Sequence, residues 1–350
     1  MTRRQLLKPG LVALTLVAFA LFPWVFSNPT YTTIGVFTLI YMTSTTAWNG
    51  FAGYSGYIPL GHAAFFGTGA YTFAVLAQNN HLGGGYGMFG LIPVSGLVAG
   101  LVALPVGLVA LRTRRHTFVV ITIAIFFLFQ LVATNLGITG GSSGLQVTQP
   151  NWPGATFDDP FYYVALGLLI LAVAASWTIR RSRFGLQLLA IRDDEARARV
   201  LGVRVGRVKL TAFVISAVPI GMAGAVYAYF VGQVFPQFVF DPLFDLSIAL
   251  MAFFGGLGTL WGPLLGGIIL EPLQQYLTFS YSVGDLYLII YGVIFLVVIL
   301  LMPSGIIPSV AEWFRRGRAA GPRASPSGLP PDAGSDDAPP GLVPQAGVSP

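Results

Sequence analysis

Cysteine is absent from the 350 residues, which removes disulfides, thiolate metal sites and a cysteine nucleophile together. Charge is almost as scarce. Asp, Glu, Lys and Arg make up 9% of the chain and hydrophobic residues 55%, whereas a soluble domain carries roughly 25% charged residues. So little polar surface cannot cover a water-soluble globule, and the mean hydropathy of +0.74 agrees. A cytosolic enzyme, a secreted domain and a nucleic-acid binder are excluded on this ground. Lysine occurs only at Lys8 and Lys209, and neither follows a glycine-rich phosphate loop. The chain therefore has no P-loop with which to hydrolyse ATP itself. The histidines His62, His81 and His116 are far apart and form no metal-binding H-E-x-x-H. Gly141-Ser142-Ser143-Gly144 has the look of an intramembrane serine-protease loop, but no histidine follows it to serve as base. No catalytic residue, metal ligand or cofactor site is expected.

What is present is a series of apolar runs. They cover Leu11 to Phe26, Tyr31 to Trp48, Gly61 to Ala77, Phe89 to Leu111, Phe118 to Leu136, Phe161 to Ile179, Leu210 to Val231, Leu243 to Gly256, Pro263 to Phe279 and Leu286 to Met302. A membrane-spanning helix needs about 20 residues, so the expected architecture is an all-α polytopic bundle of about ten transmembrane helices. The count falls to eight if the runs flanking Trp261 form a re-entrant hairpin. Residues 1–310 form this membrane domain, with a polar loop at 180–209. The remaining residues, 311–350, are rich in Pro, Gly and Ser, bury too little apolar surface to fold and read as a disordered tail.

Ten crossings starting from a cytoplasmic N-terminus place all 19 Lys and Arg on the cytoplasmic side, together with the C-terminus. The external loops then hold Asp158, Asp159, Asp241 and Asp285 and no basic residue, as the positive-inside rule requires.

Two apolar runs are interrupted alike. Phe51-Ala-Gly-Tyr-Ser-Gly-Tyr-Ile-Pro-Leu-Gly61 and Phe254-Gly-Gly-Leu-Gly-Thr-Leu-Trp-Gly-Pro-Leu-Leu-Gly266 each carry a phenylalanine, spaced glycines and a Pro-Leu step. Breaks at membrane depth persist only where protein or a water-filled cavity satisfies the freed backbone. Matching breaks in two halves of a chain point to a repeat-built transporter with its pathway at the repeat interface. Gly56, Tyr57, Gly61, His62, Gly256 and Gly258 are the candidate pathway residues. Tight helix packing through small residues is the other reading of the same glycines, and of Gly96-x-x-x-Gly100. Of the few ionisable residues within spans, His62, Asp245 and Glu271, His62 starts a helix whose free N–H groups could face a substrate carboxylate.

The loop at 180–209 reads as a short amphipathic helix. Ser182 can cap it. Phe184, Leu188 and Ile191 fall on one face, and Arg192, Asp193, Asp194, Glu195, Arg197 and Arg199 make its second half polar. Gly202 stands where a left-handed stop belongs. Phe184, Leu188, Ile191, Arg192, Asp193, Glu195 and Gly202 are the candidate coupling residues, suited to a groove on another protein. A solvated loop that only satisfies the charge bias is the bland alternative.

These blocks resemble a known family. Gly53-Tyr-Ser-Gly-Tyr-Ile-Pro-Leu-Gly-His-Ala-Ala-Phe-Phe-Gly-Thr-Gly-Ala-Tyr71 is similar to the hallmark of the branched-chain amino acid ABC-importer permeases, in the LivM-like branch. Thr139 to Leu145, Ser182 to Glu195 continuing through Gly202 to Phe213, and Phe254 to Pro263 resemble that family's later motifs, in order. Tyr57 and Pro59 stand where many members have Gln and Ser, and urea-importer permeases share much of the pattern. The resemblance implies a type II-like importer fold with pseudo-repeat halves in a bacterial or archaeal plasma membrane. It also implies a sister permease, two cytoplasmic ATPase subunits, an external substrate-binding protein and an amino acid as cargo. Urea or an amide as cargo, and a stand-alone secondary carrier, remain the alternatives.

Overall fold

The apolar runs become helices in the computed structural model of the chain, which describes residues 19–25, 28–80 and 83–280 and the isolated positions 289, 292, 293, 296, 305 and 306. Most of the first and last runs, His81 and the C-terminal tail lie outside the described residues. The helices are α1 (Pro29–Ser55), α2 (Ala63–Asn79), α3 (Leu91–Ala110), α4 (Arg115–Asn135), α5 (Asp158–Arg181), α6 (Arg183–Asp193), α7 (Glu195–Val200), α8 (Val205–Val231), α9 (Pro236–Val239), α10 (Pro242–Gly255) and α11 (Gly262–Ser280). Among the described residues five helical stretches, at 86–110, 115–135, 158–181, 205–231 and 236–255, are long and apolar enough to cross a membrane by length and composition.

α1 is not among those five, because Thr, Ser and Asn interrupt its apolar pattern. Its position explains why it tolerates them. It packs against α5, α8, α10 and α11, and Met42 through Gly53 are buried with little exception. Its hydroxyls are absorbed by its own backbone: Thr38 Oγ1 donates to Ile34 O at 2.7 Å, Thr43 Oγ1 to Leu39 O at 2.8 Å and Ser44 Oγ to Ile40 O at 2.9 Å. Such back-bonding lets a polar residue sit in a helix that water does not reach. The helix also runs through Gly50 and Gly53 to Ser55, so the glycine-rich interruption expected from position 49 begins only at Gly56.

α8 is the second axis of the bundle, packing on α1, α2 and α3. The contacts are made through small residues. A Cβ at Gly224 would lie 2.0 Å from Phe66 O, and one at Gly69 the same distance from Gly221 O. Gly96 and Gly100 of α3 turn toward Met222 and Val218 of α8, so the Gly96-x-x-x-Gly100 step is a packing surface. Backbones this close gain dispersion contacts that larger side chains would forbid.

At the end of the bundle opposite the Arg-rich loops, Leu145–Gln146 (β1) pairs antiparallel with Gln233–Val234 (β2). An all-α reading misses this two-residue ladder, which is too short to leave a periodic signal. It also anchors the segment that follows Gly144. Leu145 and Val147 point inward, Gln78 Nε2 donates to Gln146 O at 2.9 Å and Gln149 Nε2 to Phe230 O at 2.9 Å. Phe89, Trp152, Phe157, Phe161, Tyr229 and Phe230 pack ring against ring nearby, the placement of an interfacial aromatic belt.

Substituting Gly224→Ala should lower stability by about 1–3 kcal/mol, since the added methyl meets backbone rather than a movable side chain. Gly167→Ala on α5, where nothing lies within 4 Å, should leave stability unchanged or slightly raised. Thermal unfolding of the two purified variants in detergent checks this, and equal melting temperatures would refute the crossing.

Candidate functional site

The first break begins where Gly56, at φ +72°, ends α1 by donating its N–H to Ala52 O. From Tyr57 to His62 the chain is not helical, and three of the freed groups find protein partners. Tyr57 N donates to Ser55 Oγ at 3.2 Å, Pro59 O accepts from Trp48 Nε1 at 2.9 Å and Leu60 N donates to Thr122 Oγ1 at 3.2 Å. Gly61 passes so close to α4 that a Cβ there would lie 2.3 Å from Thr122 O.

The start of α2 is then capped from another helix. His62 N donates to Asp245 Oδ1 at 2.9 Å, and Ala63 N reaches both carboxylate oxygens at 3.1 Å. Asp245 lies on α10 and is buried. The N–H groups expected to await a substrate carboxylate thus already hold one belonging to the protein, which satisfies the orphan donors and the positive helix end together. The His62 ring is fully buried among Phe51, Phe65 and Phe213, with Nε2 at 3.0 Å from Ser216 Oγ. Among the described residues Nδ1 of His62 has no partner, and neither does Oε2 of Glu271, whose Oε1 accepts from Gln275.

The second break, between α10 and α11, carries positive φ at Gly256 and Gly258. It is held to α1 by one amide. Gly258 N donates to Asn49 Oδ1 at 2.8 Å, and Asn49 Nδ2 donates to Thr259 O at 2.9 Å. Gly53 lies against the same segment, where a Cβ would sit 2.6 Å from Gly258 N. The last turn of α1, which leads into the first break, therefore touches the second broken segment, and the glycines at 53 and 258 are what permit the approach. Asn49 was not among the residues singled out from sequence. The signal was available: an amide inside an otherwise apolar run requires a buried partner.

The polar loop closes over this junction. Ser182 Oγ accepts from Gly185 N at 3.2 Å and caps α6 as expected. The polar half does not continue that helix. Asp194, at φ −155°, breaks the chain and caps a separate α7 by accepting from Ala196 N at 2.9 Å and Arg197 N at 3.1 Å. These backbone N–H groups, with Arg197 first, hold its carboxyl below the usual range. α7 ends as read: Gly202 has φ +84°, its N–H bonds to Arg199 O, and Val203 N–H reaches back to Ala198 O. That pair of bonds is a Schellman turn.

The apolar stripe of α6 faces inward. Leu188 and Ile191 are buried and Phe184 is partly so, against α1, α5 and α8. The bundle itself supplies the apolar surface this stripe needs, so the groove-binding face read from sequence is occupied within the chain. Exposed instead are Leu186 at 63%, Val200 at 89% and Leu201 at 80%.

Arg192 and Glu195 also turn inward. Arg192 Nη1 donates to Gly53 O at 2.7 Å, and Arg115 Nη2 donates to Arg192 O at 2.7 Å and Ile191 O at 3.0 Å. Glu195 accepts a short hydrogen bond from the Tyr57 hydroxyl and pairs with Lys209 Nζ at 3.2 Å and Arg199 Nη2 at 3.0 Å. Lys209 Nζ also donates to Tyr57 Oη at 3.0 Å and lies 4.2 Å above its ring. Burial alone would raise the Glu195 carboxyl, but the Tyr57 hydrogen bond and the Lys209 charge outweigh it and bring it below its ordinary 4.5. Structure thus joins the candidates Tyr57, Arg192, Glu195, Gly56 and Gly258 at one junction. His62 stands apart in an aromatic pocket, Gly61 lies against α4, and Asp193 and Gly202 lie on the outer surface.

A carboxyl lowered by folding adds stability above its unfolded value and loses it as pH falls through the folded one. Glu195→Gln should therefore destabilise the protein at neutral pH by leaving Lys209 buried beside an uncharged partner. The gap to wild type should close as pH drops below about 4.5. Melting temperatures of both proteins across pH 3 to 7.5 measure this, and a gap independent of pH would sink the assignment.

Comparison with known proteins follows the same outline. A family described as branched-chain amino acid transport system / permease component matches residues 30–299. The high-affinity branched-chain amino acid transport system permease protein LivM of Escherichia coli is 30% identical over 345 residues, covering 90% of this chain and 78% of the relative. LivH, a permease protein described for the same transport system in Escherichia coli, is 30% identical over 129 residues, 37% of this chain and 41% of the relative. The autoinducer 2 import system permease protein LsrC of Klebsiella pneumoniae is 35% identical over 119 residues, 32% of this chain and 34% of the relative. No solved structure matches. The family match takes in both breaks, the α6–α7 loop and the crossings around α8, and the chain belongs to the permease components of branched-chain amino acid transport systems.

Proposed function

We propose that this chain is the membrane-spanning subunit of an ATP-driven importer for branched-chain or related amino acids. In this reading it pairs with a sister permease and receives cargo from an external binding protein. It draws energy from two ATPase subunits docked on the cytoplasmic face. The observation that carries the reading is the junction itself. One polar loop touches the breaks of both helical hairpins on its inner side and presents Val200, Leu201 and the Gly202 turn on its outer side. A surface of that kind suits a partner that hydrolyses ATP, since the chain has no P-loop of its own. The LivM likeness over most of the chain supports amino acid cargo, and the partial LivH likeness supports a homologous sister permease. Tyr57, which departs from the usual family residue, spends its hydroxyl on Glu195 and Lys209. That use explains the departure without a different cargo.

The orientation proposed is the one with all basic residues inside, ten crossings and both termini cytoplasmic. Asp158 and Asp159 in the first turn of α5 and Arg180 and Arg181 in its last fit that direction, and so does the helix dipole. The chain has no native cysteine, so Ser142→Cys and Arg183→Cys report sidedness cleanly. An impermeant thiol reagent applied to intact cells should label the first and not the second, and the reverse pattern would overturn the topology.

ATPase docking is tested at the exposed tip. Val200→Asp with Leu201→Asp should leave the permease in the membrane and weaken co-purification of the ATPase subunits by about tenfold or more, as removal of an apolar anchor does. Uptake of leucine by the reconstituted complex should fall in parallel. Undiminished ATPase binding would move the docking surface elsewhere.

A further inference from the structure

We propose that Arg192 is a latch that holds the polar loop to the end of α1 beside the second break and keeps the Arg-rich end of the bundle closed at rest, with Glu195 as its second point of attachment. The last carbonyls of a helix lack intrahelical partners. At the end of α1 the Gly56 N–H takes Ala52 O, while the Tyr57 N–H turns aside to Ser55 Oγ. Gly53 O is left for the Arg192 guanidinium at 2.7 Å. A cation at a helix C-terminus is also favoured by the helix dipole, and a charge-assisted bond to an otherwise unpaired carbonyl is among the stronger ones a protein makes.

The latch is built for two segments. A Cβ at Gly258 would lie 2.5 Å from Arg192 Nη1, and one at Gly53 would lie 2.7 Å from Gly258 Cα. The guanidinium therefore occupies a slot that exists only because both positions are glycine. Its backbone is fixed in turn by Arg115 from α4. Three residues on, Glu195 holds Tyr57, the residue that follows the α1 stop. Asp194 between them is extended, so α6 carries one attachment and α7 the other. The exposed end of α7 at Val200 lies about 7.5 Å along the helix from Glu195, at 1.5 Å per residue. A push there pivots the Glu195 contact and loads the Arg192 contact. Release of the latch frees the polar loop from the α1 end, while the Asn49 amide still ties α1 to the α10–α11 turn.

The proposal takes its direction from the transport reading, but its test needs neither ATP nor cargo. Ser55 is buried beside the latch, and the chain offers no competing thiol. In purified protein the Ser55→Cys thiol should react slowly with a water-soluble maleimide. Adding Arg192→Gln should raise its labelling rate at least about tenfold, the opening expected when a charge-assisted bond to a buried carbonyl is lost. Arg192→Lys, which keeps one donor and the charge, should restore most of the protection. A Ser95→Cys thiol, buried on α3 away from the junction, should stay shielded in every background. Protection of Ser55→Cys that survives Arg192→Gln would overturn the latch. So would equal exposure of both thiols, which reports general unfolding. If the thiols behave as expected, the Arg192→Gln complex should also hydrolyse ATP without loaded binding protein. A wild-type complex that showed no ATP-dependent uptake would defeat the transport reading and leave the latch result intact.

Discussion

Inside a bilayer no water stands ready to hydrogen-bond a free carbonyl or amide, and each one left unpaired costs several kcal/mol. A helix may break there only if the fold brings a partner to each group the break releases. The arrangement around residues 56–62 and 256–261 follows from this constraint. Trp48, Asn49, Ser55, Thr122 and Asp245 each supply a hydrogen-bonding group to one of the two segments, and Arg192 donates to Gly53 O in the last turn of α1 that leads into the first. They come from α1, α4, α6 and α10, so the breaks fix the mutual placement of four helices as firmly as apolar packing does.

Asp245 shows how the constraint redirects function. A helix that starts inside the membrane with its N–H groups free is a natural anion site, and α2 has that start. Its donors are taken by a carboxylate of the same chain, which ties α2 to α10 across the bundle. The aromatic pocket around His62 lies behind this tie. The group that faces the polar loop is instead the α1 end, where Gly53 O, Tyr57 and the glycines of the second break meet Arg192 and Glu195.

The close helix crossings serve the same end. Gly69, Gly221 and Gly224 let α2 and α8 approach to backbone contact, and Gly96 and Gly100 bring α3 in behind them. With the backbones this near, side-chain reach is short and fixed, and a single guanidinium or amide spans the gap between elements. α1 can be polar because α5, α8, α10 and α11 shield it, and its hydroxyls bond to its own carbonyls.

Much of the local structure is legible in the residues alone. The apolar runs locate the helices, Ser182 and Gly202 mark the ends of the polar loop's helices, and the glycines at 56, 256 and 258 mark the breaks. Each of these is a short-range effect of burial, capping or backbone conformation. The pairing of distant groups is not legible, because polar side chains carry no periodic signal of where they point. Asn49 meets Gly258 across 209 residues, His62 meets Asp245 across 183, and Arg192 meets Gly53 across 139. The same limit turned the apolar stripe of α6 inward, since a stripe declares that it will be buried and not against what. Sequence therefore determined which segments form apolar helices, where they break and where the polar loop's outer caps fall. Only tertiary packing decided that the two breaks share one junction and that Arg192 and Glu195 close it, because those contacts exist only when four helices are already in place.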